Sequence, residues 1–122
     1  WPECDELTQG PQFSHGGSGA VCLAKYGEKM AVIRDGQQGP LHDLIYGPYS
    51  FAISSGYSPD GRRFAYIARD AHKDRMIVDG VPGPEFDDIV GEGPPRYGED
   101  GALEYLAIRG RELCRVTVPA LP

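Results

Sequence analysis

The sequence predicts an all-β fold made of three copies of one four-stranded antiparallel unit, and three observations predict it. The stretch from Tyr57 to Ile89 recurs on either side of itself with a period of about 40 residues, the length that four short strands and their turns require. Phe64-Ala65-Tyr66-Ile67-Ala68 is aromatic or apolar at every position, the pattern of a strand covered on both faces, where the alternation of a half-wet sheet is lost. The 17 Gly and 11 Pro among 122 residues exceed a fifth of the chain, against roughly an eighth in average usage, as frequent turns demand.

Within the central unit, Pro59, Asp60 and Gly61 supply a tight turn: proline pre-sets φ, aspartate bonds to nearby backbone, and glycine takes positive φ. Phe64 to Ala68 is the first strand, polar Arg69 to Asp74 turns the chain, and Met76-Ile77-Val78 is the second strand. Asp79-Gly80 is a hairpin turn, and Glu85 to Ile89 is expected to form a third strand whose start Pro84 limits. Moving back 44 positions sets Tyr57-Ser58 on Phe13-Ser14, Gly61 on Gly17, Ile67-Ala68 on Leu23-Ala24, and Asp79-Gly80 on Asp35-Gly36. It also sets Pro84 on Pro40, Asp87 on Asp43 and Ile89 on Ile45. Moving forward, Tyr97, Asp100-Gly101, Tyr105 and Leu106-Ala107 match Tyr57, Asp60-Gly61, Tyr66 and Ile67-Ala68, with one residue deleted. The third copy runs out at Pro122, while Pro2-Glu3-Cys4-Asp5-Glu6-Leu7 reads like Pro84-Glu85-Phe86-Asp87-Asp88-Ile89. The sequence therefore predicts one domain of permuted repeats, 13–56, 57–96 and 97–122, the last closed by 1–12. Pro2 to Leu7 is expected to complete the sheet begun by Leu103 to Val118, of its own chain or of a partner.

The run YSPDGRRFAYIAR followed by MIVDGVPGPEFDDI resembles the bacterial WD-like β-propeller repeats of the TolB-like type. The first copy has Ser14-His15-Gly16-Gly17 in place of the SPDG turn, and the third has Gly98-Glu99-Asp100-Gly101. The resemblance implies blades of four antiparallel strands and a binding or scaffolding role. Closed propellers have about four to eight blades, so three blades per chain imply a ring completed by a second chain, a six-bladed homodimer, or else a larger propeller of which these blades are part.

A formal charge of −6 and a pI near 4.9 disfavour nucleic acid, whose nonspecific affinity comes from clustered Lys and Arg. Arg62, Arg63, Arg69, Lys73 and Arg75 are interrupted by Asp70 and Asp74 and read as a solvated, self-compensating edge. No run of about 18 apolar residues predicts a membrane helix, and Trp1 does not open a basic-then-apolar signal segment. Cys4, Cys22 and Cys114 lack the spacing of a metal or redox motif and read as free thiols packed as small hydrophobes. His15, His42 and His72 fall in different parts of the repeat and read as surface or turn residues. Nucleophile elbows, zinc helices and phosphate loops are missing from the sequence, which predicts neither an enzyme nor a cofactor. Glu3, Asp5, Asp43, Glu85, Asp87 and Asp88 recur around one repeat position, which fits strand-end hydrogen bonds better than copies of a catalytic group.

One stretch points to a ligand. Between Pro48 and Tyr57 the first copy carries eight residues, Tyr49 to Gly56, where the other copies have one or two. The insertion and its flank hold Tyr46, Tyr49 and Phe51, aromatics able to stack on a sugar or a peptide, or to fill the gap between blades or subunits. The function predicted is a non-catalytic binding module for a protein or glycan, with a structural or assembly propeller as the alternative.

Overall fold

The computed structural model describes residues 2–14, 17, 19–46, 56–90 and 96–120. They form three four-stranded antiparallel sheets. The first holds β1 (Glu6–Phe13), β2 (Ala20–Tyr26), β3 (Lys29–Arg34) and β4 (Gln37–Gln38), in that order. The second holds β5 (Leu44–Tyr46), β6 (Ala65–Asp70), β7 (Lys73–Val78) and β8 (Val81–Pro82). In the third, β9 (Asp88–Val90) and β10 (Arg96–Tyr97) both pair with β11 (Leu103–Arg109), which pairs with β12 (Glu112–Val118).

Turn chemistry sets these hairpins. Asp35-Gly36 and Asp79-Gly80 have φ of 51° and 80°, and 52° and 82°, the paired positive values whose twist matches that of the flanking strands. Each aspartate also reaches the start of the strand preceding its hairpin: Asp35 Oδ1 accepts from the Ala20 N–H of β2 and Asp79 Oδ1 from the Phe64 N–H just before β6, both at 2.9 Å. Ala71-His72 makes the same kind of turn between β6 and β7, with φ of 49° and 65°.

The second sheet is the middle layer. Tyr66, Ala68 and Ile77 pack with Val21, Leu23, Met30 and Val32 of the first sheet. Ala65, Ile67, Met76 and Val78 pack with Leu103, Tyr105 and Ala107 of the third. Alternate residues of one strand thus enter opposite seams, which is why β6 shows no polar alternation.

Two expectations are corrected. Glu85 to Ile89 is not a third strand of the central sheet: Phe86 bridges Asp74 on β7, and residues 88–90 then join β11 of the next sheet. Pro2 to Leu7 does not complete the sheet of Leu103 to Val118 within the chain, because Glu6 and Leu7 pair with Lys25 and Ala24 of β2. Both have one cause: the chain changes sheet just after a connector proline, so each sheet takes its first strand from the end of the preceding sequence unit. The turn expected over Arg69 to Asp74 narrows to Ala71-His72, lengthening both strands.

Met76 and Ile77, each 2% exposed, face opposite seams. Met76→Ala and Ile77→Ala are each expected to lower the unfolding free energy by about 2–5 kcal/mol, measured by urea denaturation. A sheet with one wet face would tolerate one of the two.

Candidate functional site

The seams between sheets hold most of the polar groups that the packing does not explain, and the connectors build them. After β4, the Gly39 N–H donates to Val32 O at 2.8 Å and His42 exchanges two 2.8 Å backbone bonds with Met30, so the connector lies along the outer edge of β3. Asp43 then crosses to the second sheet, where its N–H donates to Asp70 Oδ1 at 2.8 Å and its Oδ2 accepts from the Ala71 N–H at 3.0 Å. Lys29 of the first sheet pairs with the same carboxylate. The next seam repeats the device: Gly83 N–H to Met76 O, Phe86 with Asp74, and Asp87 Oδ2 accepting from the Gly110 N–H at 2.6 Å while Lys73 pairs with it. Asp5 Oδ2 accepts from the Gly27 N–H at 2.6 Å in the same way. The recurrent carboxylates of the sequence are therefore turn clamps.

At the first seam this framework encloses a cavity of about 360 Å³, lined by His42, Asp70, Lys73, Arg75 and Glu85 beside Ile77 and prolines Pro40 and Pro82. His42 Nδ1 lies 2.6 Å from Asp70 Oδ2, and its Nε2 is buried with no hydrogen-bond partner among the described residues. The ring meets Tyr66 edge-on at 6.4 Å. An imidazole oriented by a carboxylate is the base half of a nucleophilic site, yet the residues lining this cavity include no hydroxyl or thiol. Arg75 pairs with Glu85 and Lys73 with Asp87, so the rim is charge-compensated. What the cavity offers is an imidazole held by a carboxylate beside a rim of paired charges.

His42 corrects the expectation of a surface histidine: it is 9% exposed. The signal was available, because His42 stands at the repeat position of Phe86, which packs on Tyr105 with ring centroids 6.3 Å apart. Arg63 corrects the expectation of a solvated basic edge. It is buried, with Nε donating to Asp79 at 3.1 Å and Nη1 donating to the carbonyls of Gly101 and Pro119 at 2.8 and 2.7 Å, which ties the second sheet to the third. Arg69, Lys73 and Arg75 are paired as expected, with Asp74, Asp87 and Glu85. Cys4, Cys22 and Cys114 are free thiols, and Cys4 packs against the cluster of Cys22, Ala24 and Ile33. Tyr46 lies on β5, and Tyr49 and Phe51 fall outside the described residues.

The clamps titrate. Asp43 and Asp87 are held below the ordinary carboxylate value, first by the lysine hydrogen bond and then by the backbone N–H each accepts. Burial works against ionisation of Asp70, but hydrogen bonds from His42 and the Asp43 N–H outweigh it and leave its value lowered. Folded-state values below the unfolded ones mean stability that is fully present above about pH 4 and lost as pH falls through the lowered values. The urea midpoint is expected to hold from neutral pH to about pH 5 and to drop below about pH 4. In the Asp43→Asn, Asp87→Asn double variant the midpoint should start lower and the acid decline should be shallower.

No protein family, curated protein or solved structure matches the chain, and the reading of function rests on its seams, edges and cavities.

Proposed function

We propose that the three sheets are blades of a β-propeller that works as a non-catalytic binding module for a protein or glycan, with further blades supplied by a second copy to give six. The observation that supports this is unequal burial of equivalent residues. Tyr57, at the first seam, is 6% exposed, while its repeat counterpart Phe13, on the far side of the first sheet, is 70% exposed. Met30 and Asp74 are 7% and 2% exposed, while their counterpart Leu113, on the far side of the third sheet, is 66% exposed. At each end of the stack, a position that an adjacent sheet covers at an inner seam carries an exposed apolar residue, as the face of an unfinished ring does. Sedimentation at micromolar concentration is expected to give the mass of two chains, and a one-chain mass sinks ring completion by self-association.

A second reading, an assembly module whose stack ends at the third sheet, is favoured by one pair of residues. Glu104 and Arg115 form an ion pair at 2.9 Å at the repeat positions of Val21 and Ala65, and of Val32 and Met76, all buried. A polar outer face is what a terminal repeat presents to water.

The ligand part of the proposal rests on Tyr46, Tyr49 and Phe51. If they carry recognition, Tyr49→Ala with Phe51→Ala is expected to weaken the best hit of a glycan and peptide thermal-shift screen by about 1–3 kcal/mol at unchanged melting temperature. A stability loss of about 3 kcal/mol or more in the same melts reassigns them to packing.

A further inference from the structure

We infer that the open edge of β12 is an acceptor for an extended segment of a partner polypeptide carrying Gly-Pro-X followed by an aromatic or imidazole residue. The inference rests on the repeat reading, though not on ring closure by a second copy. The third strand of each of the other sheets has its outer edge covered by the chain itself: β3 by Gly39-Pro40-Leu41-His42 and β7 by Gly83-Pro84-Glu85-Phe86. These segments share glycine, proline and a terminal ring. Their contacts also coincide. The glycine N–H donates to Val32 O or Met76 O, and the ring residue makes a two-bond bridge with Met30 or Asp74.

Space favours glycine at the first position. A Cβ on Gly39 would sit 3.2 Å from Val32 O and 3.6 Å from the Tyr66 hydroxyl, and one on Gly83 would sit 3.0 Å from Met76 O and 3.5 Å from the Tyr105 hydroxyl. Proline follows because an edge-lying segment need not donate at that residue and gains from a fixed φ.

Nothing among the described residues lies on the equivalent edge of β12. β3 and β7 each bury four of six residues, whereas every residue of β12 is exposed or half-buried. The Arg109 to Glu112 hairpin fixes which backbone groups are open: residues alternate along an antiparallel ladder, so Leu113, Arg115 and Thr117 turn N–H and C=O outward, as Asp74 and Met76 do on β7. β12 also walls a groove of about 480 Å³ with Met76, Val78, Pro82 and Tyr105. An extended strand added to such an edge takes its affinity from main-chain bonds and its specificity from alternate side chains.

The test uses the whole chain and the peptide Val-Pro-Gly-Pro-Glu-Phe, the sequence of residues 81–86, with amide hydrogen exchange read by NMR. Millimolar peptide is expected to slow exchange at Leu113 and Thr117, the counterparts of Asp74 and Val78, at least tenfold and to leave Glu112, Cys114 and Val116, already bonded to β11, unchanged; Arg115 takes part through its C=O, as Val32 and Met76 do. The same peptide with valine for its glycine should give no slowing. Leu113→Pro, which removes the outward N–H at the position where Asp74 donates to Phe86 O, should abolish the slowing at Thr117 while the β11 amides stay protected. Unchanged exchange at Leu113 and Thr117, or equal slowing by the valine peptide, overturns the proposal. A one-chain mass in sedimentation rejects the two-copy ring without touching this result, because the peptide supplies the missing segment itself.

Discussion

Ala65, Tyr66, Ile67 and Ala68 are four consecutive residues between 0% and 5% exposed, and the rest of the structure answers to that constraint. In a strand, neighbouring side chains point to opposite faces, so four buried residues in a row require cover on both sides. The first and third sheets provide it. Neither could be removed without exposing two or three large side chains of the middle one, each worth about 1.5–3 kcal/mol of burial. The shared unit in sequence is therefore also a shared obligation in packing: each sheet is stable only as a layer against another.

Layers need a register, and the connector carboxylates set it. Asp5, Asp43 and Asp87 each accept from the N–H at the hairpin turn of the sheet they enter. An ionised acceptor is a strong partner for a backbone donor at a turn, and this bond fixes the point at which the chain changes sheet. The lysine pairs across the seams, Lys29 to Asp43 and Lys73 to Asp87, are exposed and add less. Arg63 is of another kind. With two backbone carbonyls and Asp79 around a buried guanidinium, it holds the turn before β11 and the end of β12 to the second sheet, so its removal would cost three hydrogen bonds at one seam.

The sequence-level pattern carried the hairpins and the both-face burial, because turn chemistry and apolar runs are local. Asp35-Gly36 and Asp79-Gly80 are turns for reasons contained in two residues. The partition of strands among sheets was not local. Asp88-Ile89-Val90 follows β8 closely in sequence, yet its partners Ile108, Ala107 and Leu106 lie almost twenty residues on, and nothing in its composition says which sheet it joins. The candidate site divides in the same way. The recurring carboxylates could be read as structural from their spacing, while the His42 to Asp70 contact joins residues 28 apart whose types gave no shared motif. Burial of Arg63 was invisible for a related reason: its two carbonyl partners are backbone atoms, which have no letter in the sequence.

The third sheet departs from the other two in charge as well as in cover. Glu112 stands at the repeat position of Lys29 and Lys73, the lysines that reach across to the carboxylate of the following connector. A ring of two copies therefore sets Asp5 of one chain toward Glu112 of the other, where the inner seams set aspartate toward lysine. An exposed charge pair is worth at most about 1 kcal/mol in either direction, and covering one leucine returns about 1.5–3 kcal/mol. Leu106 and Leu113, 41% and 66% exposed, both lie on that face, so the reversal does not by itself keep the face open. It acts on choice of partner instead. A segment that brings a cation to Glu112 while covering the two leucines is preferred over the chain's own first residues, and the open edge of β12 beside them is where its backbone would pair.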